Sequence, residues 1–226
     1  MRREELWKAW TIGGVQIAQV LTLIIAAVGM PLPPGPLLCT LTVVSVVQNT
    51  LSYRYHWTCA FTSRGECPSE LCAQFAMDTW GIAIHAGVYV CLLFLALAPM
   101  HPPGGFGVAC GALVFWVLFA TIHWHRIGDP VSMVSSDWPD TPVAYRALAM
   151  PSGCVLLMMS CAAYATTVCP ILAPLWVFAT LSYATASAAQ VYAPNGGVWC
   201  HLLLMGANCA CMWMLYLLEC GVCDRR

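Results

Sequence analysis

Residues 147–218 read ALAMPSGCVLLMMSCAAYATTVCPILAPLWVFATLSYATASAAQVYAPNGGVWCHLLLMGANCACMWMLYLL and contain no Asp, Glu, Lys or Arg. A soluble domain needs charge on its surface, so an uncharged run of 72 residues is typical of a chain inside a lipid bilayer. A spanning helix needs about 20 apolar residues, which gives this run room for about three spans. Breaks at Cys169–Pro174 and Pro194–Gly197 divide it. We therefore predict spans at about 147–168, 171–192 and 197–218.

The rest of the chain repeats this pattern. Residues 9–53 are also uncharged and are divided by the proline turn 31–36, which predicts spans at about 10–30 and 37–53. Two more apolar stretches predict spans at about 76–98 and 106–124, and polar loops are expected at 54–74 and 126–146. The sequence thus predicts one all-α domain over residues 1–226, a polytopic membrane helix bundle of about seven spans. Six or eight spans stay open, because short proline-broken segments can be re-entrant.

The overall composition indicates the same class of protein. The chain is 60% apolar and 8% charged, against about 25% charged in a typical soluble domain. Its formal net charge of −1 provides no long-range field to attract nucleic acid. We expect an integral multi-pass protein of the endoplasmic reticulum or plasma membrane, in contact with membrane lipids and not with nucleic acid.

The basic residues predict an orientation. With a cytoplasmic N-terminus and seven spans, both polar loops lie inside, which places seven Lys and Arg residues in the cytoplasm and two outside. The positive-inside rule favours this arrangement, with the C-terminus outside. The competing arrangement has six spans and a cytoplasmic tail.

Fourteen cysteines make the chain cysteine-rich, and two small groups of them lie outside the predicted spans. Cys59, Cys67 and Cys72 fall in the first polar loop, where they stay reduced in the cytosol or form a bridge in a lumenal loop. Cys220 and Cys223 follow the last span, a typical place for palmitoylation when the tail is cytoplasmic.

Small residues within two spans predict close helix packing. Gly107 and Gly111 form a G-x-x-x-G motif in the fourth predicted span, which lets a neighbouring backbone approach closely. Ser182 and Ala186 belong to a dense run of small residues in the sixth. We expect these four positions to contact other helices.

Histidines provide the candidates for a metal site. In the seven-span orientation His85, His201, His123, His125 and Asp78 lie near one membrane level, at the cytoplasmic side. Imidazole and carboxylate groups are zinc ligands, and a zinc-bound water is nucleophilic near neutral pH. The favoured interpretation is simpler. His123 and His125, beside Trp124, are interfacial, and His85 and His201 form interhelical hydrogen bonds. No cofactor is then expected.

These residues are similar in outline to the seven-span, zinc-dependent membrane hydrolases that include alkaline ceramidases and progestin/adipoQ receptors. That family uses an early Ser, an Asp and three His, and the matching residues here are Ser45 or Ser52, Asp78, and His85 or His201. The family's pair of histidines on one late helix is absent, since Met205 follows His201 by four residues. The resemblance implies a zinc-dependent lipid hydrolase.

We therefore weigh two main functions. The favoured one is a non-enzymatic protein that contacts other membrane proteins through its helices, as a scaffold, trafficking factor or receptor-like subunit in a homo- or hetero-oligomer. The alternative is a zinc-dependent lipid hydrolase with its site at the inner face. A small transporter ranks third, because the predicted spans carry no charged residue near their centres.

Overall fold

The computed structural model describes residues 3–30, 34–62, 69–100, 142–193 and 195–223, with single helical positions at 107, 111 and 114. All regular structure within these ranges is helical, without strands. Six α-helices follow in chain order: α1 Arg3–Gly29, α2 Pro36–Phe61, α3 Ser69–Leu97, α4 Pro142–Val168, α5 Ala173–Tyr192 and α6 Gly196–Glu219. The predicted fourth span, 106–124, and the second polar loop, 126–146, lie largely outside the described residues.

Four segments of the described chain are long and apolar enough to cross a membrane. They are Arg3–Gly29, Ala73–Leu97, Pro170–Ala189 and Gly197–Glu219. A shorter apolar stretch, Gly153–Val168, lies in α4. The predicted all-helical fold with helices able to span a membrane is thus confirmed for the described residues, whereas the count of about seven spans is not. α2 is absent from this set because many of its residues are polar, as described below.

Proline and glycine set the ends of these helices. Pro36 stands at the first turn of α2, where the missing N–H costs nothing because the first amides of a helix have no intrahelical partner. A 3₁₀ turn, Pro170–Leu172, connects α4 to α5. Asn195 adopts the left-handed conformation with φ of 54° directly before α6, which reverses the chain.

Four helix boundaries differ from the sequence interpretation by five or more residues: the starts of α1, α3 and α4 and the end of α2. α1 begins at Arg3 instead of near residue 10, because Lys8 forms ion pairs with Glu4 and Glu5 on the preceding turn. The loop expected at 54–74 is mostly helical, because α2 continues to Phe61 and α3 begins at Ser69. Cys59 is therefore a buried residue of α2.

Aromatic side chains support the extra turns of α2. Tyr53 and Trp57 stack at 5.7 Å between ring centroids, and Trp57 also contacts Phe61 at 5.3 Å and Trp10 of α1 at 6.4 Å. Tryptophan and tyrosine are enriched where a bilayer meets water. This belt indicates that the end of α2 lies at the membrane interface.

The end of the bundle near these aromatic rings is called here the N-terminal face. α1, α3 and α6 begin there and α2 ends there. Arg54 of α2 donates a hydrogen bond of 3.0 Å to Glu70 of α3, and the ring of His56 contacts His201 of α6.

The opposite end, called the C-terminal face, is held by the last residues of α6. The Glu219 carboxylate accepts hydrogen bonds from the Leu37 and Leu38 amides, at 2.8 and 3.2 Å. A carboxylate is favourable there because the N-terminus of α2 carries partial positive charge. Gly35 leaves the space for it, since a Cβ atom at this position would collide with the Glu219 side chain. A disulfide joins Cys169, after α4, to Cys223.

The apolar core lies nearer the C-terminal face and centres on α3. Tyr89, Leu93 and Leu97 of α3 are fully buried, together with Met214 and Leu215 of α6. α5 and α6 form the most closely packed helix pair. α1, by contrast, leaves most of its apolar residues on the outside of the bundle. The C-terminal half of the bundle is therefore mainly apolar, and the half near the N-terminal face is more polar.

Candidate functional site

Ionisable side chains from four helices meet at the N-terminal face. We call Glu5, Lys8, His56, Asp78 and His201 the N-terminal polar cluster. Lys8, His56 and Asp78 are buried, although each carries or can carry charge. Burying such groups is costly unless they are paired, so their contacts decide what the cluster can do.

Lys8 is the fixed positive charge of the cluster. Its Nζ atom donates a hydrogen bond of 2.7 Å to Glu5 Oε1 and lies 3.2 Å from Glu4 Oε1. Both carboxylates come from the preceding turn of α1, where residues three and four apart share a face. Gly197 of α6 packs against the Lys8 stem, and a Cβ atom there would collide with it. The ion pairs are thus held against the start of α6.

Two histidines extend the cluster from α1 to α6. His56 Nδ1 donates a 2.6 Å hydrogen bond to Glu5 Oε2. Its ring lies edge-on to that of His201, with 5.0 Å between centroids. His201 Nδ1 lies 2.6 Å from the Gly197 carbonyl oxygen. Because a carbonyl only accepts, Nδ1 carries the proton, and Nε2 of the neutral ring is left as an acceptor.

Asp78 provides a second carboxylate, on α3. It is 8% exposed, lies near Ser52 and is close enough to His56 to interact with its charge. Its Oδ1 atom has no hydrogen-bond partner among the described residues. Such an atom in a native interior is normally paired with a protein group or an ordered water. The cluster thus brings together two carboxylates and two imidazoles, all groups that can bind a proton.

His85 does not belong to this cluster. It shares a hydrogen bond of 2.9 Å with Ser45 of α2. Ser45 precedes His56 by 11 residues, which is about 16 Å along a helix. The structure therefore brings Asp78 and His201 near His56 and leaves His85 apart, while His123 and His125 lie outside the described residues. Within the described ranges no three His, Cys, Asp or Glu side chains form a group that could hold a metal.

The residues expected to pack helices have different environments. Ser182 and Ala186 are buried on α5, the helix that packs most closely on α6. Gly107 and Gly111 are exposed, and a Cβ atom at either position would meet no atom of the described chain within 4 Å. Among the described residues, close packing against other side chains is thus found at Ser182 and Ala186 and not at Gly107 and Gly111.

The two cysteines expected to carry palmitate also differ. Cys220 has a free thiol. Cys223 forms the disulfide with Cys169, so it has no thiol to acylate while that bond is intact.

Sequence reasoning missed most of the polar interior. Glu5, Lys8 and His56 lie outside the predicted spans 10–30 and 37–53, so their burial is not expected from the sequence. The available signal was the spacing on α2, where Ser45, Asn49, Ser52 and His56 repeat at intervals of four, three and four residues. That period places them on one face of a helix.

Comparisons with protein-family models, with curated proteins and with solved structures each return no match for this chain. Function must therefore be argued from the residues and their contacts.

The separation of His85 from His201 leads to a prediction. We expect His85→Ala and His201→Ala each to lower the free energy of unfolding by about 0.5–1.5 kcal/mol, since each removes about one hydrogen bond. Because the two sites share no partner, the double mutant should lose the sum of the single losses within about 0.5 kcal/mol. Thermal unfolding in detergent, with and without a chelator, measures these losses.

A shared metal would give a different result. Removing either ligand would then abolish the chelator effect, and the double mutant would be no less stable than each single one. Non-additive losses combined with chelator sensitivity would show that the two histidines act as one unit.

Proposed function

We propose that this chain is a multi-pass membrane protein that acts by binding the transmembrane helices of other membrane proteins, as a scaffold, trafficking factor or receptor-like subunit. Several of its interior polar groups bond across helix pairs, as Gln19 does with Asn49, Ser45 with His85 and Tyr183 with Asn208. Such contacts are what a packing role requires. The observation that carries the proposal is a groove on the outside of the bundle.

This groove lies between α1 and α2, about midway along α1. Its volume is about 350 Å³, and it is lined by Gln16, Ile17, Val20, Leu21 and Val46. Gln16 Nε2 donates hydrogen bonds to Thr50 Oγ1 at 2.9 Å and to the Val46 carbonyl at 3.4 Å. Lipid tails need no amide, whereas polar side chains join transmembrane helices by hydrogen bonds worth about 0.6 kcal/mol on average. The hydrogen bonds of Gln16 join α1 to α2, and we propose that a partner helix covers the apolar wall beside them, which is formed by Ile17, Val20, Leu21 and Val46.

The proposal includes seven spans, with the N-terminus in the cytoplasm of an endoplasmic reticulum or plasma membrane protein. α3 and α4 both end at the C-terminal face, which supports one more crossing between Met100 and Pro142. The Cys169–Cys223 disulfide supports a non-cytoplasmic C-terminal face, because disulfides persist in oxidising compartments. The count of basic residues favours the same orientation.

One observation favours the alternative of a zinc-dependent lipid hydrolase. Ser52, Asp78 and His201, three of the residues matched to that family, come near His56 at the N-terminal face. In the proposed orientation this face meets the cytoplasmic leaflet, where a lipid head group would be within reach. Metal analysis separates the two functions, since the hydrolase requires about one zinc per chain and the helix-binding protein requires none.

The groove gives a prediction about partner binding. A photoreactive residue at Val20 should form a discrete protein adduct in native membranes, whereas one at Val28, on the exposed end of α1, should react with lipid only. Leu21→Trp should fill the groove and lower the yield of that adduct about tenfold, equivalent to about 1.4 kcal/mol. Gel mobility and mass spectrometry of the adduct measure both effects.

Ile25 offers a matched control one turn along the same helix. It is 55% exposed against 50% for Leu21, but it does not line the groove. Ile25→Trp should leave the adduct at Val20 unchanged. Equal adducts at Val20 and Val28, or an adduct insensitive to Leu21→Trp, would refute the groove as a binding surface.

The orientation is tested with the protein inserted into sealed microsomes, whose lumen corresponds to the outside of the cell. We expect an impermeant reductant to leave Cys169 and Cys223 bonded until detergent opens the vesicles, while an N-terminal tag is digested by added protease at once. Reduction of the disulfide in sealed vesicles, with a protected tag, would invert the orientation.

A further inference from the structure

The buried polar side chains of α2 lie along one line. Thr42, Ser45, Asn49, Ser52 and His56 are all buried, and they repeat at intervals of three and four residues. That spacing keeps them on a single face of the helix. We call these five residues the α2 seam. A single polar residue in a spanning helix can be explained by one interhelical contact. A row of five over four turns needs a partner at each turn.

The seam runs between two carboxylates at opposite faces. Glu5 accepts a hydrogen bond from His56 at the N-terminal face, and Glu219 accepts one from the Leu38 amide at the C-terminal face. Fourteen residues separate Thr42 from His56, which corresponds to about 21 Å of helix. The hydrocarbon core of a bilayer is about 30 Å thick. The row of polar side chains therefore covers about two thirds of that thickness, and the Leu38 amide that bonds Glu219 lies about 6 Å beyond Thr42.

Other helices place ionisable and amide groups against the seam. Asp78 of α3 lies near Ser52, and His85 of the same helix bonds with Ser45 at 2.9 Å. The Asn49 amide donates a 2.6 Å hydrogen bond to Gln19 of α1. Thr42 donates to the Leu38 carbonyl at 2.8 Å. Each turn of the seam thus holds a group that can donate or accept a hydrogen bond.

Three buried atoms beside the seam or at its entrance lack a protein partner among the described residues. They are Asp78 Oδ1, Gln19 Nε2 and Gln74 Oε1. Gln19 is fully buried and Asp78 is 8% exposed. Buried polar atoms of this kind are normally satisfied by internal water, which typically makes about three hydrogen bonds. The unpaired atoms therefore point to water molecules held along the seam.

We propose that the α2 seam is a hydrated proton path through the bundle, a function separate from helix binding. A proton enters at Glu5 and His56 and passes to Asp78 through Ser52 and adjacent water. Water beside Gln19 carries it past the Asn49 amide, which does not take up protons itself, to His85 and Ser45. From there the proton passes by the Thr42 hydroxyl and water to the Glu219 carboxylate and leaves at the C-terminal face. In each step one O–H or N–H bond breaks as the next forms, so no other reactant is needed. Chains of Asp, Glu and His are the usual proton relays of membrane proteins.

The path is tested in liposomes that contain the purified full-length protein and a trapped pH dye. A potassium gradient with valinomycin drives proton entry. Wild-type protein should raise the initial proton flux about tenfold over protein-free liposomes, as expected for a relay of ionisable groups. Asp78→Asn and His85→Ala should each return the flux to the protein-free value.

Matched controls come from the contact between α5 and α6. Ser182→Ala removes a serine that is 7% exposed, as buried as the seam residues, and Asn208→Ala breaks the bond to Tyr183. Both variants should keep the wild-type flux. Ser45→Ala is a smaller change that should keep the fold even if Asp78→Asn or His85→Ala does not. It should also lower the flux. Wild-type flux equal to that of protein-free liposomes, or full flux in folded Asp78→Asn or Ser45→Ala protein, would overturn the proposal.

Discussion

The rest of this structure depends on one constraint, that polar groups buried in a lipid-embedded bundle must find partners inside it. α2 concentrates this requirement, because its inner face carries Thr42, Ser45, Asn49, Ser52 and His56. The Leu38 carbonyl, the His85 imidazole, the Gln19 amide and the Glu5 carboxylate form hydrogen bonds with four of them, and Ser52 lies near Asp78. An unpaired polar group in such a site costs about 1–3 kcal/mol, so the partners fix which helices lie beside α2. α1, α3 and α6 are its neighbours for that reason.

The outer surface of the bundle is apolar. α1 turns Ile17, Leu21 and Ile24 outward, and α5 turns Phe178 and Leu181 outward, where hydrocarbon is the natural solvent. These helices are held to the bundle by one side only. A surface of this kind either faces lipid or binds another helix, and the groove beside Gln16 distinguishes one part of it from the rest. The proposed proton path uses the polar interior of the bundle, and the proposed helix binding uses its apolar exterior.

The sequence predicted the class of this protein well and its interior poorly. Uncharged runs report the membrane directly, because each charged residue in the bilayer centre is costly. Proline located the turns near Pro36 and Pro170, because a proline interrupts the helix that precedes it. The partner of a polar side chain is a matter of packing between distant segments. Nothing near His56 indicates that Glu5 is its acceptor, or that His85 pairs with Ser45. The row of polar residues on α2 can be read from the sequence, but spacing alone does not show whether such a row faces the interior of the bundle.

The pair formed by Gln19 and Asn49, midway along the seam, tests the central role of α2 most directly. Unfolding in detergent is measured for Gln19→Leu, Asn49→Leu and the double mutant. Each single mutant leaves the other amide buried without its partner, at a cost of about 1–3 kcal/mol. The account predicts that the double mutant loses less than the sum, with a coupling free energy of about 0.5–3 kcal/mol. Additive losses would show that the two amides do not meet, and that α1 and α2 are not held together through the seam.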